Sequence, residues 1–465
     1  MKPVFVFLAT LSISCFAQSN TETALDRYVK TPDPAYQWKL VRTIPGQGYT
    51  AYVLDMTSQN WLTPAEVDRT TWKHWVTIVK PDQVDTDAAM LMITGGNNAS
   101  TAPDKVDPFN AGVAVRTHSV TVELRMIPNQ ALSFYGETRK RTEDAIIAFT
   151  WKKYLETGDE RWPARLPMTK ASVRAMDATQ EFLASEAGGK VKVARWVVAG
   201  GSKRGWTTWT TAIVDKRVIA IMPVVIDLLN MEQSFLHHWR AYGFWAPAVD
   251  DYVEHGVMDW IGTKQFDNLM KIVEPFRYRD RLTMPKYIVN SGGDQFFLPD
   301  SSQFYFKDLK GEKYLRYVPN SDHGVTRRTD AGESLATYYE SIIKNWKRPE
   351  FDWTISPEGK ISVTCKDKPV AVKLWQATNP DARDFRLEKL GPAYKSSDLA
   401  PAADGTYSVQ LAKPAQGFTA GFVELTFATP GGSHWKFTTA VKVVPDVYPF
   451  PAPTPKRPAG STPLE

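Results

Sequence analysis

The stretch Trp196-Val197-Val198-Ala199-Gly200-Gly201-Ser202-Lys203-Arg204-Gly205-Trp206 constrains the fold of this chain more than any other. An apolar run enters two glycines, then a serine, then a third glycine opening a helical pattern. Only small residues tolerate so sharp a strand-to-helix turn, and a serine at its apex is lifted clear of the backbone. The segment predicts a buried strand, a strained turn carrying a nucleophile, and a helix that packs back on the strand. Gly200 lets the turn close, and Gly205 lets the helix approach. A serine hydroxyl is a poor nucleophile at neutral pH, so this turn implies a base and an orienting acid elsewhere.

Both are available downstream in the order that such a turn requires, with serine first, then acid, then histidine. Asp294 follows the strand-like run Tyr287-Ile288-Val289-Asn290 and ends Ser291-Gly292-Gly293-Asp294. His323 stands in Asn320-Ser321-Asp322-His323-Gly324, and the only later histidine, His434, lies in a β-rich region. Ser202, Asp294 and His323 are therefore the expected catalytic set, with Asp294 orienting the imidazole. Asp227, which also ends an apolar strand-like run, is the rival acid. Asp322 adjoins the base and is less able to reach its far nitrogen. An oxyanion needs two convergent donors. The Lys203 backbone N–H is one candidate, and the loop Gly95-Gly96-Asn97 after the run Ala88 to Ile93 is the other, unless that loop is a plain tight turn.

Around this core the apolar runs alternate with helical patterns at Thr142 to Leu155, Thr169 to Ala184 and Glu333 to Trp346. Alternation of that kind predicts an α/β domain with a mostly parallel sheet and helices on both faces. It is expected to span residues 18–348, with an aromatic-rich lid insertion at about 228–281. Trp239, Tyr242 and Trp245 of the insertion are candidates for a substrate pocket, or for a small packed core of the lid itself. From Phe351 short alternating strands predict an all-β Ig-like sandwich over 349–446. The Pro-rich end, 447–465, reads as a disordered tail.

Residues 1–17 have the pattern of an export leader, with Lys2, an apolar core from Val4 to Ile13 and the small residue Ala17 before Gln18. The run is too short to span a membrane, and no other span is expected. A periplasmic or extracellular protein follows. The formal net charge of +5 is mild for 465 residues, and its basic residues are scattered, which gives no footprint for nucleic acid. His237 and His238 are adjacent and His255 stands apart, so no metal is expected; phosphate-binding glycine loops are absent, so no cofactor is expected either.

The usual elbow is G-x-S-x-G, yet here Arg204 takes the last glycine position and Gly205 follows. The shifted turn resembles that of glucuronoyl-esterase-like enzymes, which also carry a basic residue directly after the serine. Cations are disfavoured at a helix start, so Lys203 and Arg204 want a partner. An anionic substrate group is one, with Arg204 then a substrate-binding residue; solvated side chains are the alternative.

Taken together, Ala199 to Trp206, Thr94-Gly95-Gly96-Asn97, Asn290 to Asp294, Pro319 to His323 and the late Trp375 to Arg386 resemble the PhoPQ-activated pathogenicity-related protein family, to which autocrine proliferation repressor proteins are related. The resemblance implies an α/β-hydrolase fold followed by a β domain, and implies little about substrate. The combined reading is an exported serine hydrolase that cleaves a small-molecule ester, saccharide ester or peptide through an acyl-enzyme. The alternative is a catalytically silent hydrolase-fold protein that recognises a ligand or carries a signal. Oligomeric state is not legible.

Overall fold

The computed structural model describes residues 22–464, so the leader expected over residues 1–17 lies outside the described residues. The described residues open with helix α1 (Ala24–Lys30) and three antiparallel strands, β1 (Gln37–Gly46), β2 (Tyr49–Asn60) and β3 (Thr71–Pro81). The stretch from Gln37 to Asp55 is thus a hairpin, turning at Gly48, whose φ is +78°.

The next six strands are β4 (Ala88–Ile93), β5 (Thr121–Leu124), β6 (Arg195–Gly201), β7 (Val218–Val224), β8 (Lys286–Ser291) and β9 (Lys313–Val318). They lie side by side in the order β5-β4-β6-β7-β8-β9, all parallel, with β3 antiparallel against β5. Burial explains the choice of sequence. All six residues of β8 are buried, and β4 and β6 each keep only terminal or single positions partly open. Strands covered on both faces need continuous apolar runs, as β4 and β6 have and as Tyr287 to Val289 supply at the centre of β8.

The covering helices are α2 (Pro108–Thr117), α3 (Glu143–Thr157), α4 (Arg165–Ala184), α5 (Lys203–Val214), and, later in the chain, α6 (Met231–Tyr242), α7 (Asp250–Glu254), α8 (Lys264–Val273) and α9 (Ala331–Ile343). Helix α5 sits so deep that Thr207, Thr208, Thr210 and Thr211 are all fully buried. Their hydroxyls are satisfied along the helix, as when Thr207 donates to the Lys203 carbonyl at 2.9 Å and Thr211 to the Thr207 carbonyl at 2.7 Å. The insertion between β7 and β8 holds α6, α7 and α8. In α8 one face is apolar and buried through Phe266, Leu269, Met270 and Val273, and Thr263 caps its start by accepting from the Phe266 N–H.

Five of the eight C-terminal strands continue the same sheet, and three form a second one packed on it. These are β10 (Phe351–Ile355), β11 (Lys360–Cys365), β12 (Ala371–Asn379), β13 (Lys395–Asp398), β14 (Tyr407–Gln410), β15 (Phe418–Ala428), β16 (His434–Thr438) and β17 (Lys442–Val444). Strand β16 pairs antiparallel with β9 at Thr438 and Leu315, and β15, β12 and β13 extend the sheet beyond it. Strands β10, β11 and β14 form a second sheet, with Ile361, Val363, Val423, Leu425 and Phe437 in one shared core. A separate sandwich beginning near residue 349 therefore needs correcting to a β layer annealed to the α/β sheet. The reason is aromatic: Phe437 lies 4.1 Å from the Tyr314 ring and 5.6 Å from the Tyr287 ring, burying the seam between the two parts.

The tail also differs from expectation. Its prolines set an extended path that lies along the insertion, where the Phe450 N–H donates to the Arg240 carbonyl at 3.1 Å and the Leu464 N–H to the Gly262 carbonyl at 2.9 Å. Tyr448 anchors it, its hydroxyl 2.9 Å from His237 Nδ1.

Because the seam is one core, Phe437→Ala is expected to destabilise the whole protein by roughly 3–5 kcal/mol. Urea unfolding followed by both tryptophan fluorescence and circular dichroism should show one shifted transition. Two transitions, with only the second moved, would mean that the β layer folds on its own.

Candidate active site

Strand β6 ends at Gly201, and Ser202 follows with φ +58° and ψ −126°, a region that a non-glycine residue occupies only when its surroundings hold it there. The Ser202 N–H donates to the Val224 carbonyl at 2.8 Å, tying the turn to the end of β7. A Cβ on Gly200 would come within 2.7 Å of the Arg204 carbonyl oxygen, and one on Gly205 within 2.9 Å of the Gly200 carbonyl oxygen. This accounts for the shifted motif. Residue 205, and not residue 204, faces the strands, so glycine is needed there while Arg204 points to the side.

The loops after β8 and β9 bring Asp294 and His323 together. His323 Nδ1 lies 2.8 Å and 3.0 Å from the two Asp294 carboxylate oxygens, and Asp294 is buried. A carboxylate on Nδ1 assigns the proton of a neutral imidazole to that nitrogen and leaves Nε2 as an acceptor. Nε2 is buried and has no hydrogen-bond partner among the described residues. The His323 N–H donates to Gln295 Oε1 at 2.9 Å, and the Phe296 ring lies 4.3 Å from the imidazole. Phe296 and Phe297 also line a narrow pocket of about 20 Å³ that contains Ser202. Ser202 Oγ and His323 Nε2 do not hydrogen-bond to each other in this conformation. Catalytic hydrogen bonds are often long before substrate binds.

Asp227 takes another role. Its carboxyl accepts from the Tyr305 and Tyr317 hydroxyls, each at 2.6 Å, with no bond to His323. Asp322 accepts the Gly324 N–H at 2.8 Å and shapes the turn. Of the three acids weighed from sequence, Asp294 alone contacts the imidazole.

Lys203 and Arg204 are spoken for. Lys203 Nζ lies 2.9 Å from Glu143 and 2.8 Å from Asp144, and Arg204 Nη2 lies 2.6 Å from Glu143. Burial alone would raise the Glu143 carboxyl, but Lys203 and Arg204 together hold it down to about 2. The two cations at the start of α5 thus answer two acids at the start of α3. The assignment of Arg204 to substrate binding gives way to this clamp. Arg204 Nε also donates to the Ile127 carbonyl at 2.5 Å, and a Cβ on Gly95 would meet its Nη2. Gln130 links the Gly96 carbonyl, at 2.9 Å, to Glu143. The Gly95–Asn97 loop is by these bonds fastened beside the elbow. The Lys203 N–H stands at the first position of α5, where no intrahelical acceptor exists.

A family model described as PhoPQ-activated pathogenicity-related protein matches residues 25–386. The chain belongs to that family. It is 39% identical over 480 residues to autocrine proliferation repressor protein A of Dictyostelium discoideum, covering 97% of this chain and 95% of the relative. Solved structures with similar architecture include an acetyl xylan esterase from Paenibacillus sp. R4 (12% identity, 69% of this chain and 92% of that one, TM-score 0.48). Another is the acylaminoacyl peptidase of Pyrococcus horikoshii (13% identity, 66% and 50%, TM-score 0.40).

In this PhoPQ-related chain the lid aromatics expected at the site pack mainly on one another. Trp239 and Trp245 lie 5.2 Å apart, Tyr242 stacks on Phe244, and none of Trp239, Tyr242 or Trp245 lines the Ser202 pocket. Phe235, Val249 and Tyr252 line it from the insertion, with Phe296 and Phe297 from the acid loop. The Phe pair stands two residues beyond Asp294, a proximity that sequence could have flagged. Arg165, at the start of α4, also lines the pocket and carried no sequence signal. A wider hollow of about 860 Å³ is lined by Asp26, Ile213 and Met284, with no member of the Ser202, Asp294, His323 set in its wall.

Burial pushes the Asp227 carboxyl up to about 8 despite its two tyrosine donors. The folded protein keeps that proton to about pH 8, whereas an unfolded aspartate loses it near pH 4. Between those limits the folded state binds the extra proton, so this group's contribution to stability falls as pH rises, by up to about 1.4 kcal/mol per pH unit. Asp227→Asn should flatten the profile. Urea midpoints from pH 5 to 9 for both proteins check this, and parallel profiles would refute it.

Proposed function

We propose that this chain is an exported serine hydrolase of α/β-hydrolase fold that cleaves an ester or peptide bond through an acyl-enzyme. The observation that carries the reading is the Asp294–His323 pair, its Nε2 left as a free acceptor, standing with Phe296 at the pocket of an elbow serine. In the first step Ser202 Oγ bonds to the substrate carbonyl carbon while its proton passes to His323 Nε2. The bond to the leaving group then breaks, and His323 returns the proton to the departing oxygen or nitrogen. Water repeats the sequence and releases the acid, restoring Ser202. Asp294 holds the imidazole and stabilises its charged form. The negative oxygen formed during attack is met by the Lys203 N–H and by the Gly95–Asn97 loop.

The clamp of Glu143 on Lys203 and Arg204 supports the same reading, because it fixes both donor segments against each other. Preorganised donors stabilise a developing charge without having to move.

A fluorophosphonate probe is expected to label Ser202 in the wild-type protein, with the adduct located by peptide mass, and to leave folded Ser202→Ala unlabelled. Ser202→Ala and His323→Ala should each lower kcat/KM by roughly 10³-fold or more on any ester the enzyme turns over. A folded wild type that resists the probe, or a Ser202→Ala protein with full turnover, would overturn the proposal and leave the ligand-recognising alternative.

A further inference from the structure

Arg165 is the cation beside the elbow cluster that no carboxylate contacts directly, Asp144 acting on its charge only from a distance. Two carboxylates, Glu143 and Asp144, already answer Lys203 and Arg204. Arg165 is only 2% exposed, yet it pairs with no carboxylate among the described residues. One of its nitrogens, Nη1, donates to the Lys203 carbonyl at 2.7 Å, and its guanidinium lies 4.6 Å over the Trp206 ring. Its Nε is buried with no hydrogen-bond partner among the described residues. Burial lowers Arg165 only to about 10, so it stays charged at neutral pH. A buried guanidinium with unspent donors is costly unless an anion completes it.

The same side chain lines the pocket of Ser202, whose other walls include Leu228, Phe235, Phe296 and Phe297, together with Asp144, whose charge Lys203 answers at 2.8 Å. Apolar walls exclude water and strengthen a charge-assisted bond formed there. The pocket is narrow, at about 20 Å³.

We propose that Arg165 receives a free carboxylate of the substrate, so that the preferred esters or amides carry an acid group a few bonds from the reacting carbonyl. This rests on the hydrolase reading and names its substrate class. The planar fork of arginine suits a carboxylate, which can take two parallel N–H donors. The competing role, in which Arg165 only steadies the Lys203 peptide, predicts no preference for charge.

The test compares two substrates on the full chain: the mono-4-nitrophenyl ester of succinic acid, and the 4-nitrophenyl ester of 4-methylpentanoic acid, which is neutral and has an acyl group of the same heavy-atom count. Rates are taken above the Ser202→Ala background. The wild type should favour the acidic ester in kcat/KM by about tenfold or more. Arg165→Met should bring that ratio to one or below, with the change in KM, and Arg165→Lys should restore part of it. Equal use of the two esters by the wild type would overturn the proposal. So would an Arg165→Met protein that loses both activities by the same factor. If the wild type turns over neither ester, the fluorophosphonate result decides the hydrolase reading, and succinate binding to folded Ser202→Ala decides the Arg165 site separately. Thermal stabilisation by succinate that vanishes with Arg165→Met supports the anion site, and its absence refutes it.

Discussion

The contact between helix α5 and the ends of strands β6 and β7 leaves no room for a side chain at Gly200 or Gly205. That closeness sets the positive φ of Ser202, aims the hydroxyl out of the sheet, and puts the Lys203 N–H where a helix has no acceptor of its own. It also makes α5 a helix buried on every side. Such a helix must satisfy its own polar groups, and its threonines do so by donating back to carbonyls one turn earlier. Both the geometry of the site and the composition of its supporting helix follow from one packing distance.

Charge is the second organising term. Two adjacent cations at a helix start are unfavourable to the helix dipole and, when buried, to solvation. Helix α3 supplies Glu143 and Asp144 at its own first turn, where negative charge is favoured. Each helix end therefore relieves the other, and the Gly95–Asn97 loop is fastened by the same bonds. Arg165, on a third helix, forms no ion pair among the described residues, and Asp144 acts on its charge only from a distance.

Much of this was legible in the chain. The apolar runs that became β4, β6 and β8 read as buried strands, and the glycines around Ser202 read as a nucleophile turn. The order of Ser202, Asp294 and His323 narrowed the base almost by elimination. What was not legible was pairing at a distance. Nothing local to Lys203 and Arg204 distinguishes a protein acid about sixty residues earlier from a substrate anion, because the same side chains serve both. Aromatic residues raise the same difficulty: Trp239 and Phe296 are equally apolar, and only packing decides which one faces Ser202. The tail misled because proline-rich sequence is extended whether it is free or docked.

The sequence by itself determined the elements whose causes are local: buried strands from unbroken apolar runs, the elbow from its glycines, and the chain order of nucleophile, acid and histidine. Tertiary structure alone decided which acid meets His323, which charges cancel, and that most of the C-terminal strands join the main sheet. Those outcomes depend on which surfaces come within hydrogen-bond or van der Waals range after folding. Such ranges are a few ångströms, whereas the residues involved lie tens to hundreds of positions apart.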